Sequence, residues 1–161
     1  MKITIIAIGD KLPNWVREGV GEYTKRFTPM HDFSLEIKEI AAKKRSRHAN
    51  IANITEQESQ ALIQAVPKHS IIIALDVGGK RLSSERLAAK LENYHNNGDN
   101  LAILIGGPEG FNDSVRQLAR ERWSLSDLTL PHPIARIVLA ETLYRSVSII
   151  HNHPYHRGGE Q

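Results

Sequence analysis

Three runs in this chain are apolar at nearly every position instead of every second one: Ile3–Ile8, Ser70–Leu75 and Leu101–Ile105. A half-exposed strand alternates apolar and polar side chains. A strand that is apolar throughout is covered on both faces, as in a parallel sheet with helices packed on either side. Between the runs the apolar spacing changes to a helical period. Pro13 opens a first helical stripe of Trp15, Val16, Val20 and Tyr23. Ile51, Ile54, Glu58, Ala61, Leu62 and Ala65 form a second, stopped by Pro67. Ser83 or Ser84 caps a third, carrying Leu87, Leu91 and Tyr94 and closed by Asn97-Gly98. Asn112 or Asp113 caps a fourth, expected to continue through Arg122. The expected architecture is α/β, a mostly parallel sheet with helices on both faces, in a single domain over residues 1–161.

Two further strands are expected. Phe33, Leu35 and Ile37 alternate with polar residues, the pattern of a half-exposed strand, and Leu128–Leu130 reads as a short one. The last helix, from Ile134 to Ile150, is apolar around a wide arc. A surface helix needs a narrower stripe, so this one is covered on more than one side, by the fold or by a second subunit.

Composition excludes several chemistries. There is no cysteine among the 161 residues, so no disulfide, thiolate metal site or cysteine nucleophile is possible. The opening apolar stretch runs straight into Asp10 and Lys11, and is expected to be a strand and not a signal peptide. No apolar run is long enough to cross a bilayer. The expectation is a cytoplasmic protein without membrane attachment. The net charge of +3 is mild, useful for phosphate binding only where it is clustered.

Four segments carry chemistry. Leu101-Ala-Ile-Leu-Ile-Gly-Gly-Pro-Glu-Gly110 places glycines at the carboxyl end of a buried strand, where a ligand can approach backbone closely, or where a tight turn needs them. Neither G-x-x-x-x-G-K-[ST] nor G-x-G-x-x-G is present, which argues against a P-loop and an ordinary dinucleotide fold. In Trp123-Ser-Leu-Ser-Asp-Leu-Thr-Leu-Pro-His-Pro133, an irregular apolar stretch leaves backbone groups in need of partners, which a purine edge can supply and an ordinary loop can also provide. The end, Ile150-His-Asn-His-Pro-Tyr-His-Arg157, is dense in hydrogen-bonding and cationic groups. Pro154 interrupts it and no carboxylate adjoins it, so no metal site is expected. Lys43-Lys-Arg-Ser-Arg-His48 is a basic loop, either a phosphate contact or a solvated surface.

Together these segments resemble one family, the RlmH-type 23S rRNA pseudouridine-N3 methyltransferases of the SPOUT superfamily. The likeness is carried by Ile6-Ala-Ile-Gly-Asp-Lys-Leu-Pro-Asn-Trp15, Leu104-Ile-Gly-Gly-Pro-Glu-Gly110, Trp123 to Pro133, Ala140-Glu-Thr-Leu-Tyr-Arg145 and Asn152-His-Pro-Tyr-His-Arg157, in the family's order. The resemblance implies a C-terminal deep trefoil knot, a homodimer with active sites at the subunit interface, S-adenosylmethionine as methyl donor, and a pseudouridine of 23S rRNA within the ribosome as substrate. It implies donor contacts at Leu75, Gly106, Leu125, Ser126, Asp127, Leu128, Thr129 and Leu130, with Gly106 leaving room for the donor. It nominates His153 or Tyr155 as base or as stabiliser of the N3 anion, with Arg157 holding a phosphate or ring carbonyl. Lys43, Lys44, Arg45, Arg47, Arg136 and Arg145 are candidates for RNA, although Arg145 is also placed to pair with Glu141 four residues earlier on the helix. A SPOUT enzyme acting on another RNA, such as tRNA, and a non-catalytic ribosome-binding factor are the alternatives. The tail Gly158-Gly-Glu-Gln161 extends past the family's usual end and is expected to be disordered.

Overall fold

The structure, a computed structural model, describes residues 1–160, and for 158–160 the backbone alone; the expectation about the tail therefore lies outside the fully described residues. The three apolar runs become β1 (Lys2–Ile8), β3 (Ser70–Arg81) and β4 (Asn100–Ile105). With β2 (Ser34–Ile40) and β5 (Glu121–Ser124) they form a five-stranded sheet of order β2-β1-β4-β3-β5, parallel at every pairing.

Both faces are covered, and the alternation along each strand shows how. Ile3, Ile5, Ile73, Leu101 and Ile103 point to a layer made by α1 (Asn14–Thr24), α3 (Ser84–Asn96) and α5 (His132–Ile150). Ile6, Ile8, Ala74, Ala102 and Leu104 point to the opposite layer, α2 (Ile51–Gln64) and α4 (Asp113–Leu118). The central strands have no solvent face, which is why they carry no polar alternation. Helix α5 packs on α1 and α3 and buries Leu139, Leu143 and Val147 completely. Its wide apolar arc is used within the chain, and Ile134, Val138 and Ile149 remain half-buried. Trp15, expected in the buried stripe of α1, lies on its outer side at 53% exposure; Val16 and Val20 do the packing.

Two expectations near the cavity are corrected. The fourth helix ends at Leu118, and Glu121–Ser124 is an edge strand on β3. The Arg120 N–H donates to the Ile72 carbonyl at 2.8 Å, so sheet pairing takes over where the helical pattern would have continued. Leu128–Leu130 is no strand but irregular chain. Strand β3 also runs further than its apolar core suggests. Leu75 and Lys80 both register with Trp123, so Asp76–Gly79 bulges out between them. Gly79 permits this: a Cβ there would lie 2.7 Å from the backbone carbons of Arg122 and Trp123.

Among the described residues no helix is long and apolar enough to cross a membrane, and no cluster of His, Cys, Asp or Glu could hold a metal.

Candidate functional site

The carboxyl ends of β3, β4 and β5 open onto a cavity of about 510 Å³. This is the end of a parallel sheet where α/β folds take up small molecules, and the volume is that of a cofactor-sized site. Leu75 and the Asp76–Val77 bulge form one side, the turn Gly106–Gly110 another, and the strap Ser124–Pro131 the roof. Helix α5 begins at this cavity with His132 and Ala135.

The strap is held by its own hydroxyls. Ser124 Oγ donates to the Ser126 carbonyl at 3.0 Å, and the Leu128 N–H donates to Ser126 Oγ at 2.9 Å. Among the described residues, Ser126–Leu130 make no backbone–backbone hydrogen bond. Apart from the two bonds to hydroxyls, the strap's amides and carbonyls have no partner in the chain's backbone, so they are free to bond solvent or a ligand in the cavity. Leu128 and Val77, at 73% and 69% exposure, flank the opening as large apolar side chains without cover.

The glycine turn is shaped by the chain's own backbone. Gly110 N–H donates to the Gly107 carbonyl at 2.9 Å, and a Cβ on Gly106 would lie 2.7 Å from the Gly110 carbonyl carbon and oxygen. Gly106 thus makes room first for the turn itself, and only through it for a ligand.

The charged groups around the cavity are paired. Arg116 Nε donates to Asp76 Oδ2 at 2.9 Å, with Arg122 at 3.6 Å. Burial works to raise the Asp76 carboxyl, but the Arg116 and Gly78 hydrogen bonds and the Arg122 charge outweigh it and hold it below the usual carboxylate range. Burial, then the nearby Arg136 and Arg45 charges, pushes the His132 imidazole down, so the ring is neutral near pH 7. Its Nδ1 is buried without a partner. Asp76, Arg116, Trp123 and His132 were not singled out from sequence; His132 stood between two prolines in a quoted motif, and Asp76 in a turn-like stretch, with nothing local to mark them.

Of the expected donor residues, Leu75, Gly106, Leu125, Ser126, Leu128, Thr129 and Leu130 line this one cavity. Asp127 does not; it faces solvent and pairs with Arg81.

The expected RNA set divides. Lys43, Lys44 and Arg47 are exposed on the loop between β2 and α2. Arg45 is instead tied to Glu58 and Glu109, each at 2.7 Å. Arg145 pairs with Glu141 at 2.6 Å, the intrahelical alternative. Arg136 is corrected outright: it is 1% exposed, and donates to the Ile8 carbonyl at 3.1 Å, the Gly9 carbonyl at 3.3 Å and Glu39 at 3.1 Å. It ties the first residue after β1 to α5 and cannot meet phosphate. Arg136→Met should lower stability by about 3 kcal/mol, because it strands buried acceptors. Chemical denaturation measures this, and a variant as stable as the parent would remove the guanidinium from the core's hydrogen bonding.

His153, Tyr155 and Arg157 are not at the cavity. They follow α5, whose 19 residues place its two ends about 28 Å apart. Asn152, at φ +53°, ends the helix, and the His153 N–H closes onto the Ser148 carbonyl at 2.8 Å. Tyr155 packs edge-on against Tyr144 at 4.7 Å, and the Arg26 and Arg145 guanidinium groups lie 5.4 and 5.1 Å from its ring centre. Its hydroxyl donates to Glu141 at 3.0 Å. Burial, then hydrogen bonding with Tyr23 and the Glu141 charge, raises the phenol well above the usual tyrosine range, so Tyr155 stands as a donor and not as a base. His153 Nδ1 accepts the Tyr155 N–H at 3.2 Å, which in the neutral ring leaves the proton on Nε2. The tail is therefore a preorganised group of donors.

The family model described as predicted SPOUT methyltransferase matches residues 1–156. A ribosomal RNA large subunit methyltransferase H of Legionella pneumophila (strain Paris) is 49% identical over 158 residues, covering 98% of this chain and 99% of that protein. Among solved structures, a probable methylase family protein from Haemophilus influenzae Rd KW20 superposes with a TM-score of 0.59 over 95% of this chain and 69% of that one. At 13% identity that last likeness is one of fold.

Proposed function

The chain belongs to the SPOUT methyltransferase family, and from that premise we propose that it methylates large-subunit ribosomal RNA, at N3 of a pseudouridine, with S-adenosylmethionine bound in the cavity at the strand ends. The observation that carries the donor assignment is the strap Ser126–Leu130, which makes no backbone–backbone hydrogen bond and borders a cavity of about 510 Å³. An adenine edge satisfies alternating amides and carbonyls, and the Leu75, Leu125 and Leu130 side chains match its apolar faces. Leu128 and Val77 then close over it and exclude water.

The donor supplies an electrophilic methyl group on a sulfonium. The chain's own residues must align the acceptor nitrogen and deal with its proton. Pseudouridine N3 is a weak nucleophile until that proton leaves, so donors aimed at the ring oxygens stabilise the anion in which N3 carries the negative charge. His153 Nε2–H and Arg157 are such donors, Tyr155 O–H becomes one on exchanging Glu141 for the substrate, and the released proton passes to solvent. No covalent intermediate is needed. Because α5 separates the tail from the cavity of its own chain, a site that uses both takes them from different subunits. The homodimer belongs to this proposal for that reason, and the deep trefoil knot and the action on the ribosome come with the family.

Lys43, Lys44 and Arg47 are the proposed phosphate contacts. Replacing all three by glutamine should weaken binding to large ribosomal subunits and reduce the slope of log affinity against log salt by about 2 to 3. An unchanged slope would make the loop a solvated surface. The function as a whole is tested by labelled-methyl transfer onto large subunits that lack the modification, with the site read by mass spectrometry. Transfer to tRNA alone, or no transfer by a folded protein that binds ribosomes, overturns it.

A further inference from the structure

Arg45 sits among the exposed cations of the loop 41–50 but points the other way, and its guanidinium is fully engaged. Nη1 and Nη2 meet the Glu58 carboxylate at 3.1 and 2.7 Å, and Nε and Nη2 meet Glu109 at 3.1 and 2.7 Å. Nη1 also donates to the Lys43 carbonyl at 2.9 Å. Two forked, charge-assisted pairs are among the strongest hydrogen bonds side chains make. Glu58 is 2% exposed on α2, and its Oε2 accepts the Lys43 N–H at 3.0 Å as well. One buried carboxylate thus fixes both the loop's backbone and its arginine. Glu109 is part of the Gly106–Gly110 turn that walls the cavity. The turn is pressed onto this joint: a Cβ on Gly107 would lie 2.9 Å from Arg45 Nη2 and 3.0 Å from Glu58 Oε1. Lys43, Lys44 and Arg47 flank the joint, exposed and without an ion pair among the described residues.

We propose that Arg45 is a positioning residue that couples RNA binding at the basic loop to donor binding in the cavity, acting through Glu109 on the glycine turn. The inference rests on the readings of the cavity as donor pocket and of the loop as phosphate contact. Repulsion among the cations of the loop works against the joint. Phosphates held by Lys43, Lys44 and Arg47 cancel that repulsion, the joint tightens, and the turn is held in the position that shapes the cavity. Donor affinity then rises when RNA is bound, and by linkage RNA affinity rises equally when donor is bound.

The test is the affinity for S-adenosylhomocysteine, which cannot transfer a methyl, measured with and without saturating large ribosomal subunits that lack the modification. The full-length protein should bind it roughly five- to tenfold more tightly when the subunits are present. Glu109→Ala frees the turn and leaves the Arg45–Glu58 pair to support the fold, so the ratio should fall to about one. Arg45→Lys keeps the charge, loses the fork and should do the same. A merely structural role would weaken both affinities and leave their ratio unchanged. A ratio near one in the unaltered protein, or a ratio that survives Glu109→Ala, overturns the coupling. Failure of the unaltered protein to bind S-adenosylhomocysteine at all overturns the donor reading, and the coupling falls with it.

Discussion

Gly106→Ala should weaken S-adenosylmethionine binding by at least about a hundredfold, a loss of roughly 2.7 kcal/mol. A single methyl suffices because it meets backbone and not a flexible side chain. The added Cβ would stand 2.7 Å from the Gly110 carbonyl and 3.0 Å from its Cα. The turn must move, and on its outer side Arg45 and Glu58 already press against Gly107. The turn lines the cavity, so its movement changes the cavity's shape. Strain of this kind costs about 1–3 kcal/mol, so the melting temperature should fall by about 3–9 °C while the protein stays folded at 25 °C. Calorimetry with the folded variant separates the two effects. Unchanged donor affinity in a folded Gly106→Ala protein would refute the pocket.

His153→Ala and Tyr155→Phe should each reduce methyl transfer by about a hundredfold or more, with donor affinity nearly unchanged. Neither side chain lines the cavity or belongs to the strap proposed to bind the donor, so their loss acts on the acceptor and not on the donor contacts. The same geometry predicts complementation. Mixing Gly106→Ala chains with His153→Ala chains should recover about a quarter of the parent activity, since half of randomly formed dimers are mixed and each mixed dimer has one intact site. Neither variant alone should show that level. Mixtures no more active than the separate variants would place the tail and the cavity in one chain's site, or remove the tail from catalysis.

The residues that were misread from sequence share a cause. Glu121–Ser124 carries no apolar run, and its first two residues were read as the end of a helix; it is a strand because β3 offers it an edge. Arg45, in a basic loop, and Arg136, on the apolar last helix, were candidates for RNA phosphate, yet each serves a buried acceptor distant in the chain. A sign of this was present. Glu58 occupies an apolar-stripe position of α2, and Arg136 interrupts the apolar pattern of α5, and a charge on a buried face needs an ion partner. The pattern shows that a partner exists without naming it. The glycines at a strand end and the apolar, hydroxyl-rich strap were legible as local features, while the seven expected donor residues that meet at the cavity were named only by the family resemblance.

The sequence by itself determined the layers: which strands are buried on both faces, where the helices begin, that a glycine turn ends one buried strand, and that an irregular strap precedes the last helix. Those properties follow from side-chain period and backbone freedom, which act over a few residues. Only the tertiary structure decided that turn, strap and the β3 bulge enclose one volume, that Arg45 is bolted to the wall of that volume, and that the tail lies a full helix away. Each of these depends on contacts between segments tens of residues apart, and such contacts are set by packing and pairing that no local pattern encodes.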